Sequence, residues 1–391
     1  MPIKYSDLGS DRQLNEIVMA GSHDAAITSG PANAQTQSLD ILGQARAGVR
    51  FFDVRVAAQT VPGGASGAKE AQLRAFHAPG LNTDTKTRQL KDLGQTVALE
   101  RSKLKGEGMG AAWGMGLTKI LEDAKKFVES AEFAGEFLIL KFDKCTNWGL
   151  IADTCRSVLG KKIYGGGGNL NTKALSDLAG TVVVGFMTGG YSELKQPAQR
   201  VGITHIKNLY KPPAGYDGSF DGLQYWGAGG TALNNSGFDS KIQENIATQK
   251  GILKKAALGI ADKKTRFRRK VKTPGCSAAD PNAVGMMYWT TTGVFKNIKD
   301  RNDQMWEKQN LGGMDTIWRA GFQDYIDNAL PANVDACAFS SGGMLKLFMP
   351  NIVMIDFADP DKCEHIYGLN VIAAAELVKI CQKLDLVGAA R

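Results

Sequence analysis

Short apolar runs recur along this chain, and several of them end at a charged or polar side chain. They are "EIVMAG" (16–21) before His23, "GVRFFDVRV" (48–56), "QLRAFHA" (72–78), "EFLILKFD" (136–143), "GTVVVGF" (180–186), "GMMYWTTT" (285–292) and "NIVMIDF" (351–357), with "DGLQYW" (221–226) a weaker member. Near-continuous apolar runs of this kind suit strands buried on both faces, as in a parallel sheet. Helical segments lie between them. "SLDILGQARAG" (38–48) closes on a glycine that suits a helix C-cap, "GLTKILEDAKKFVES" (116–130) has apolar residues at helical spacing, and "NVIAAAELVKICQKLDLV" (370–387) reads as a closing helix. Strands alternating with helices in this number predict an α/β fold, a distorted TIM-type (β/α)8 barrel, as one domain over residues 1–391. A doubly wound open sheet is the alternative, but no GxGxxG follows the first strand.

Two stretches read as insertions into that barrel. Residues 57–71, "AAQTVPGGASGAKEA", are rich in Gly, Ala and Ser, and residues 227–284 are too long for a simple connection. "YGGGGN" (164–169) lacks the GK[ST] of a phosphate loop and reads as a turn. The six cysteines form no CxxC pair, so there is no zinc signature, and without a signal they read as reduced thiols.

Lys and Arg number 47 against 39 Asp and Glu, a net charge of +8, which favours an anionic partner, either nucleic acid or an acidic lipid surface. Much of the excess sits at 254–272, "KKAALGIADKKTRFRRKVK", a solvated basic face or a phosphate-binding patch. No apolar stretch reaches the ~18 residues of a membrane span. The start, "MPIKYSDLGSDRQ", lacks the basic-then-apolar pattern of a secretory signal. The expectation is a soluble protein, cytoplasmic or exported by an unconventional route.

In a (β/α) barrel, catalytic groups belong at the carboxyl ends of strands. His23 and Asp24 follow the first run, Arg55 lies near the end of the second, His77 near the end of the third, Lys141 closes the fourth and Asp356 the last. Two histidines with carboxylate partners can act as general base and general acid in one displacement. A guanidinium between them suits phosphate, to which it presents a planar fork of permanent charge. Together they predict cleavage of a phosphodiester by an internal hydroxyl, with no metal required. His205 and His365 read as structural, and Asp53 as a supporting carboxylate.

"IVMAGSHDAA", "GVRFFDVRV", "AFHAPG", "EFLILKFDK" and "NIVMIDF", in this order, resemble the catalytic X-type domain of phosphatidylinositol-specific phospholipases C, the bacterial metal-independent branch in particular. The resemblance implies cleavage of an inositol phospholipid to diacylglycerol and inositol 1,2-cyclic phosphate. It implies His23 as the base toward the inositol 2-hydroxyl, oriented by Asp356, and His77 as the acid toward the glycerol oxygen, partnered by Asp24. Arg55 is implied at the phosphate, with Lys141 and Tyr225 toward the inositol ring. It also implies peripheral contact with an anionic phospholipid membrane, no nucleic-acid partner and no cofactor. In calcium-dependent relatives a metal stands where this arginine does, and Arg55 disfavours a cation there. The chain departs from the family at "VVVGFMTGGY", which holds no second arginine, and at "LQYW", which brings Tyr225 and Trp226 without an aspartate. A different headgroup or metal use, and a noncatalytic anionic-lipid-binding module, are the alternatives.

Overall fold

The computed structural model describes residues 2–63, 69–107, 109–210, 215–227, 231–232, 244–245, 247–249, 282–292, 297–307 and 350–383. Its centre is a closed barrel of eight parallel strands: β1 (Met19–Ser22), β2 (Val49–Val54), β8 (Leu138–Phe142), β9 (Val182–Met187), β10 (Ile203–Asn208), β11 (Leu223–Trp226), β13 (Val284–Trp289) and β15 (Ile352–Ile355). The ring closes where β1 pairs with β2 on one side and β15 on the other, Met19 opposite Ile352 and Ser22 opposite Ile355. Two further short strands, β12 (Thr231–Ala232) and β14 (Thr291–Thr292), pair with each other.

Period-two alternation sorts the side chains. Met19, Phe51, Ile139, Val183, Ile206, Met286, Ile352 and Met354 join one buried cluster that fills the barrel. Their neighbours Ala20, Phe52, Leu138, Leu140, Val184, Met287, Val353 and Ile355 join another, packed under the helices. Gly185 makes room in the filling, since a Cβ there would collide with Ile206 Cδ1. The helical expectations near 38–48, 116–130 and 370–387 correspond to α1 (Ile41–Ala47), α2 (Leu117–Val128) and the last helix, Pro360–Lys383. Asp40 caps α1 by accepting from the Gly43 amide, and Gly48 ends it at φ 125°, a conformation that suits glycine. No helix among the described residues is long and apolar enough to cross a membrane.

Between β2 and β8 the chain builds a second sheet from β3 (Val56–Pro62), β4 (Lys69–His77), β5 (Leu81–Leu90), β6 (Gln95–Leu104) and β7 (Ala112–Gly116), ordered β3-β6-β5-β4-β7. This corrects one expectation: the run "QLRAFHA" belongs to β4 of this sheet and not to the barrel. Of the insertion expected at 57–71, residues 57–62 lie in β3 and 69–71 in β4 of the same sheet. The barrel strand that takes the vacated place is β10, "ITHIKN". The expected insertion at 227–284 and the basic segment 254–272 lie almost wholly outside the described residues. Cys145, Cys155 and Cys363 are free and buried.

At the amino end of the barrel Arg50 and Glu136 are both fully buried and paired at 2.6 Å. The guanidinium also donates to the carbonyls of Ala45, Val49 and Ile3 and lies 4.7 Å from the centre of the Phe127 ring. A buried pair survives in a low-dielectric interior only when its remaining donors are satisfied in this way.

Candidate active site

The sequence Ser22-His23-Asp24 leaves β1 at its carboxyl end. The His23 amide donates to Ile355 O at 3.0 Å, the last ladder bond between β1 and β15. Asp24 then adopts φ 41°, a left-handed conformation rare outside glycine that short polar residues tolerate best. Its amide neighbour Ala25 donates to Asp53 O at 2.8 Å, which ties the turn to β2. The two consecutive side chains therefore serve different partners.

His23 Nδ1 lies 2.9 Å from Oδ1 of Asp356, the residue that follows β15. His77 Nδ1 lies 2.6 Å from Asp24 Oδ2, whose other oxygen is 3.1 Å from Arg55 Nε. The carboxylate acceptors assign a proton to Nδ1 of each ring and leave Nε2 for chemistry. Exposure is graded: side-chain accessibility is 0% for Asp356, 10% for His23, 15% for Arg55 and 21% for His77. The first histidine thus sits deep and the second at the mouth.

His77 arrives from outside the barrel. β4 and β7 shift register between Arg74 and Phe76, and such a bulge bends the strand and re-aims the residues that follow. The Phe76 amide then donates to Arg55 O at 3.0 Å, and the Met115 amide of β7 donates to Ala26 O at 2.9 Å. These two bonds dock the inserted sheet on the β1 and β2 ends.

Charge is balanced within the cluster. Burial opposes ionisation of Asp24, but Arg55 foremost, then His23 and His77, hold its carboxyl well below the usual range. Burial likewise opposes the His23 imidazolium, yet Asp24 and Asp356 outweigh it and push its pKa up to about 9. Against burial, Asp24 and Asp53 raise the pKa of Arg55, which stays charged.

Lys141 sits within β8 and is 2% exposed, its Nζ 2.9 Å from Asp53 Oδ1 and 3.9 Å from Asp143 Oδ2. Burial disfavours its charge, but Asp53 raises its pKa well above the ordinary lysine value. Tyr225 of β11 is buried beside it, its hydroxyl 3.8 Å from Met187 Sδ. Lys141 and Tyr225 thus lie side by side in the barrel, with the ammonium already neutralised by Asp53.

No protein-family model matches the chain, and no curated protein sequence does. Among solved structures it is similar to a variant of the phosphatidylinositol-specific phospholipase C from Staphylococcus aureus, 15% identical over 92% of this chain and 95% of that one, with a TM-score of 0.46. It is similar to the phosphatidylinositol-specific phospholipase C from Listeria monocytogenes, 12% identical over 93% and 96%, with a TM-score of 0.43. A calcium-dependent phosphoinositol-specific phospholipase C from a Pseudomonas species is 13% identical over 53% and 70%, with a TM-score of 0.30.

All seven residues expected from the sequence meet at one end of the barrel: His23, Asp24, Arg55, His77, Lys141, Tyr225 and Asp356. Tyr288 of β13 was not among them. Its ring meets His23 edge-on at 6.2 Å between centroids, and burial foremost raises the pKa of its hydroxyl. The signal available was its inward phase, two residues beyond the inward-facing Met286. His205 of β10 is outside the cluster, stacked on Tyr191 at 4.4 Å, and burial with Lys207 and Arg200 lowers its pKa to about 4. His23, Asp24 and Asp53 offer ligand atoms within 4.8 Å of one another, the spacing of a metal site. Arg55 and Lys141 already pair with those two carboxylates, so a divalent ion would enter against two fixed cations.

Proposed function

We propose that this protein is a phosphodiesterase of phospholipase C type, acting on phosphatidylinositol or a related inositol phospholipid without a metal ion. The observation that carries the reading is the pair of histidines, each with Nδ1 on its own carboxylate, linked through Asp24 to one arginine. His23 Nε2 takes the proton of the inositol 2-hydroxyl while that oxygen attacks phosphorus. His77 Nε2 gives its proton to the glycerol oxygen as the old phosphorus–oxygen bond breaks. Diacylglycerol and inositol 1,2-cyclic phosphate leave. Arg55 meets the charge that gathers on the phosphoryl oxygens, Asp356 and Asp24 keep the rings in the productive tautomer, and Lys141 with Tyr225 faces the ring hydroxyls.

The greater exposure of His77 fits an acid that serves the lipid side, and the depth of His23 fits a base that serves the sugar. Removing either histidine lowers turnover by ~10²–10⁴-fold, the scale of a general acid or base. Arg55→Lys is also costly, because an ammonium cannot reproduce the fork. The test is phosphorus NMR of phosphatidylinositol vesicles with the purified protein, with and without EDTA. A cyclic phosphodiester signal that is equal in both supports the reading, and one abolished by EDTA overturns the metal-free mechanism. Vesicle binding without product would overturn phosphatidylinositol as the substrate, in favour of a different headgroup or of a lipid-binding module.

A further inference from the structure

Two non-glycine residues at the site hold left-handed backbone: Asp24 at φ 41° and Phe357, next to Asp356, at φ 49°. Such conformations persist where the surroundings over-determine them. The same dipeptide reaches both, and it lies outside every strand and helix. Thr36 Oγ1 donates to Asp24 O at 2.8 Å, and the Thr36 carbonyl accepts from the Phe357 amide at 2.7 Å. Gln37 Nε2 donates to His23 O at 3.0 Å and to Ile355 O at 3.3 Å, while its Oε1 accepts from the Ala358 amide at 3.0 Å. Both residues are buried, and their amides are fixed in turn on Ile27 O.

One amide side chain therefore spans the ends of β1 and β15. Those ends carry His23 and Asp24 on one side and Asp356 on the other, and beyond Ser22 and Ile355 the strand pairing has run out. Asparagine is a methylene shorter, glutamate loses both donors and adds a charge, and methionine keeps the volume without the bonds.

We propose that Gln37, with Thr36, is a positioning residue that sets the spacing of the two strand ends and thereby the His23 Nδ1–Asp356 Oδ1 hydrogen bond. The catalytic consequence rests on the reading of His23 as the base, whereas the geometric one does not. His23 is faced by Asp24 beside it, Asp53 and Arg55 from the end of β2, Tyr288 from β13 and Asp356 from β15, and of these only Asp356 is joined to His23 through the Gln37 bridge.

The test is Gln37→Met, followed by NMR titration of the imidazoles, with the His23 signals assigned by their loss in His23→Ala. The titration midpoint of His23 falls from near 9 toward the ordinary histidine range, and its hydrogen-bonded Nδ1 proton exchanges faster, while the His77 signals keep their parental positions. On phosphatidylinositol vesicles kcat drops about 10- to 10²-fold with KM little changed, the scale of a misplaced catalytic group. Thr36→Val shows the same change more weakly, and Thr36→Ser, which keeps the hydroxyl, restores the parental behaviour. A Gln37→Met protein that melts lower yet keeps the parental His23 midpoint and kcat overturns the proposal. Should that variant not fold, identical His23 midpoints in Thr36→Val and Thr36→Ser overturn it instead. A parent without turnover overturns the functional reading alone, since the His23 titration still decides the positioning role.

Discussion

A histidine enclosed by two carboxylates keeps its proton longer than one in water, and this has opposite consequences for chemistry and for stability. With a pKa near 9, His23 is largely imidazolium at neutral pH in the free protein, while a base must be neutral. Under the proposed mechanism kcat/KM rises with pH toward about 9. Asp356→Asn moves that rise to lower pH and lowers the plateau, and a profile unchanged in position would sever the link between the two residues. For stability the sign reverses. The folded pKa, near 9, lies above the unfolded one, near 6.5, so the contribution of His23 is complete below about pH 6.5 and is lost as pH climbs through 9. The difference in melting temperature between the parent and His23→Gln should therefore shrink across that window. A difference that stays constant would mean that His23 is not stabilised by its carboxylates.

Two strands explain what could and could not be read along the chain. The β1, β2, β8 and β15 runs are apolar on both faces, because the barrel fills one side and helices cover the other, and their polar ends were legible as a site. β10, "ITHIKN", was not legible as a barrel strand. Only Ile203 and Ile206 in it are buried, with Thr204, His205, Lys207 and Asn208 partly covered, so it lacks the apolar signature of its neighbours. β4 misled in the opposite sense. "QLRAFHA" has the length and composition of a barrel strand, and nothing local shows that its partners are the antiparallel β3 and β7. His77 still comes within 2.6 Å of Asp24, since a strand delivers its terminal residue whichever sheet it joins. Tyr288 offered only its inward phase along β13, and Gln37 carries no local signal, because its role exists only through residues far away in sequence. Within the inserted sheet Arg74 anchors the aim of His77, with Nε and Nη2 donating to Gly114 O at 3.0 and 2.5 Å and Nη1 to Gln59 at 3.1 Å. Arg74→Met should lower kcat several-fold while leaving the His23 titration unmoved. A shifted His23 midpoint would show that the sheet and the barrel do not act independently on the site.

Among the described barrel strands and the residues that flank them, buried charge gathers toward the two ends of the barrel. The pair Arg50–Glu136 closes the amino end and touches none of the candidate catalytic groups. Glu136→Gln leaves a buried guanidinium without its counter-charge and should cost about 3–5 kcal/mol in denaturant unfolding, with turnover per folded molecule unchanged. A loss below 1 kcal/mol would show that the guanidinium is held by its carbonyl acceptors alone. At the carboxyl end the division of labour follows the architecture: His23, Arg55 and Asp356 stand at the barrel rim, while His77 is carried in on a separate sheet docked by a few backbone bonds. The two halves can accordingly diverge at different rates. Under the proposed mechanism, a descendant that rebuilt only the sheet would keep the groups that hold the substrate and lose the one that expels the leaving group, and so would become a receptor.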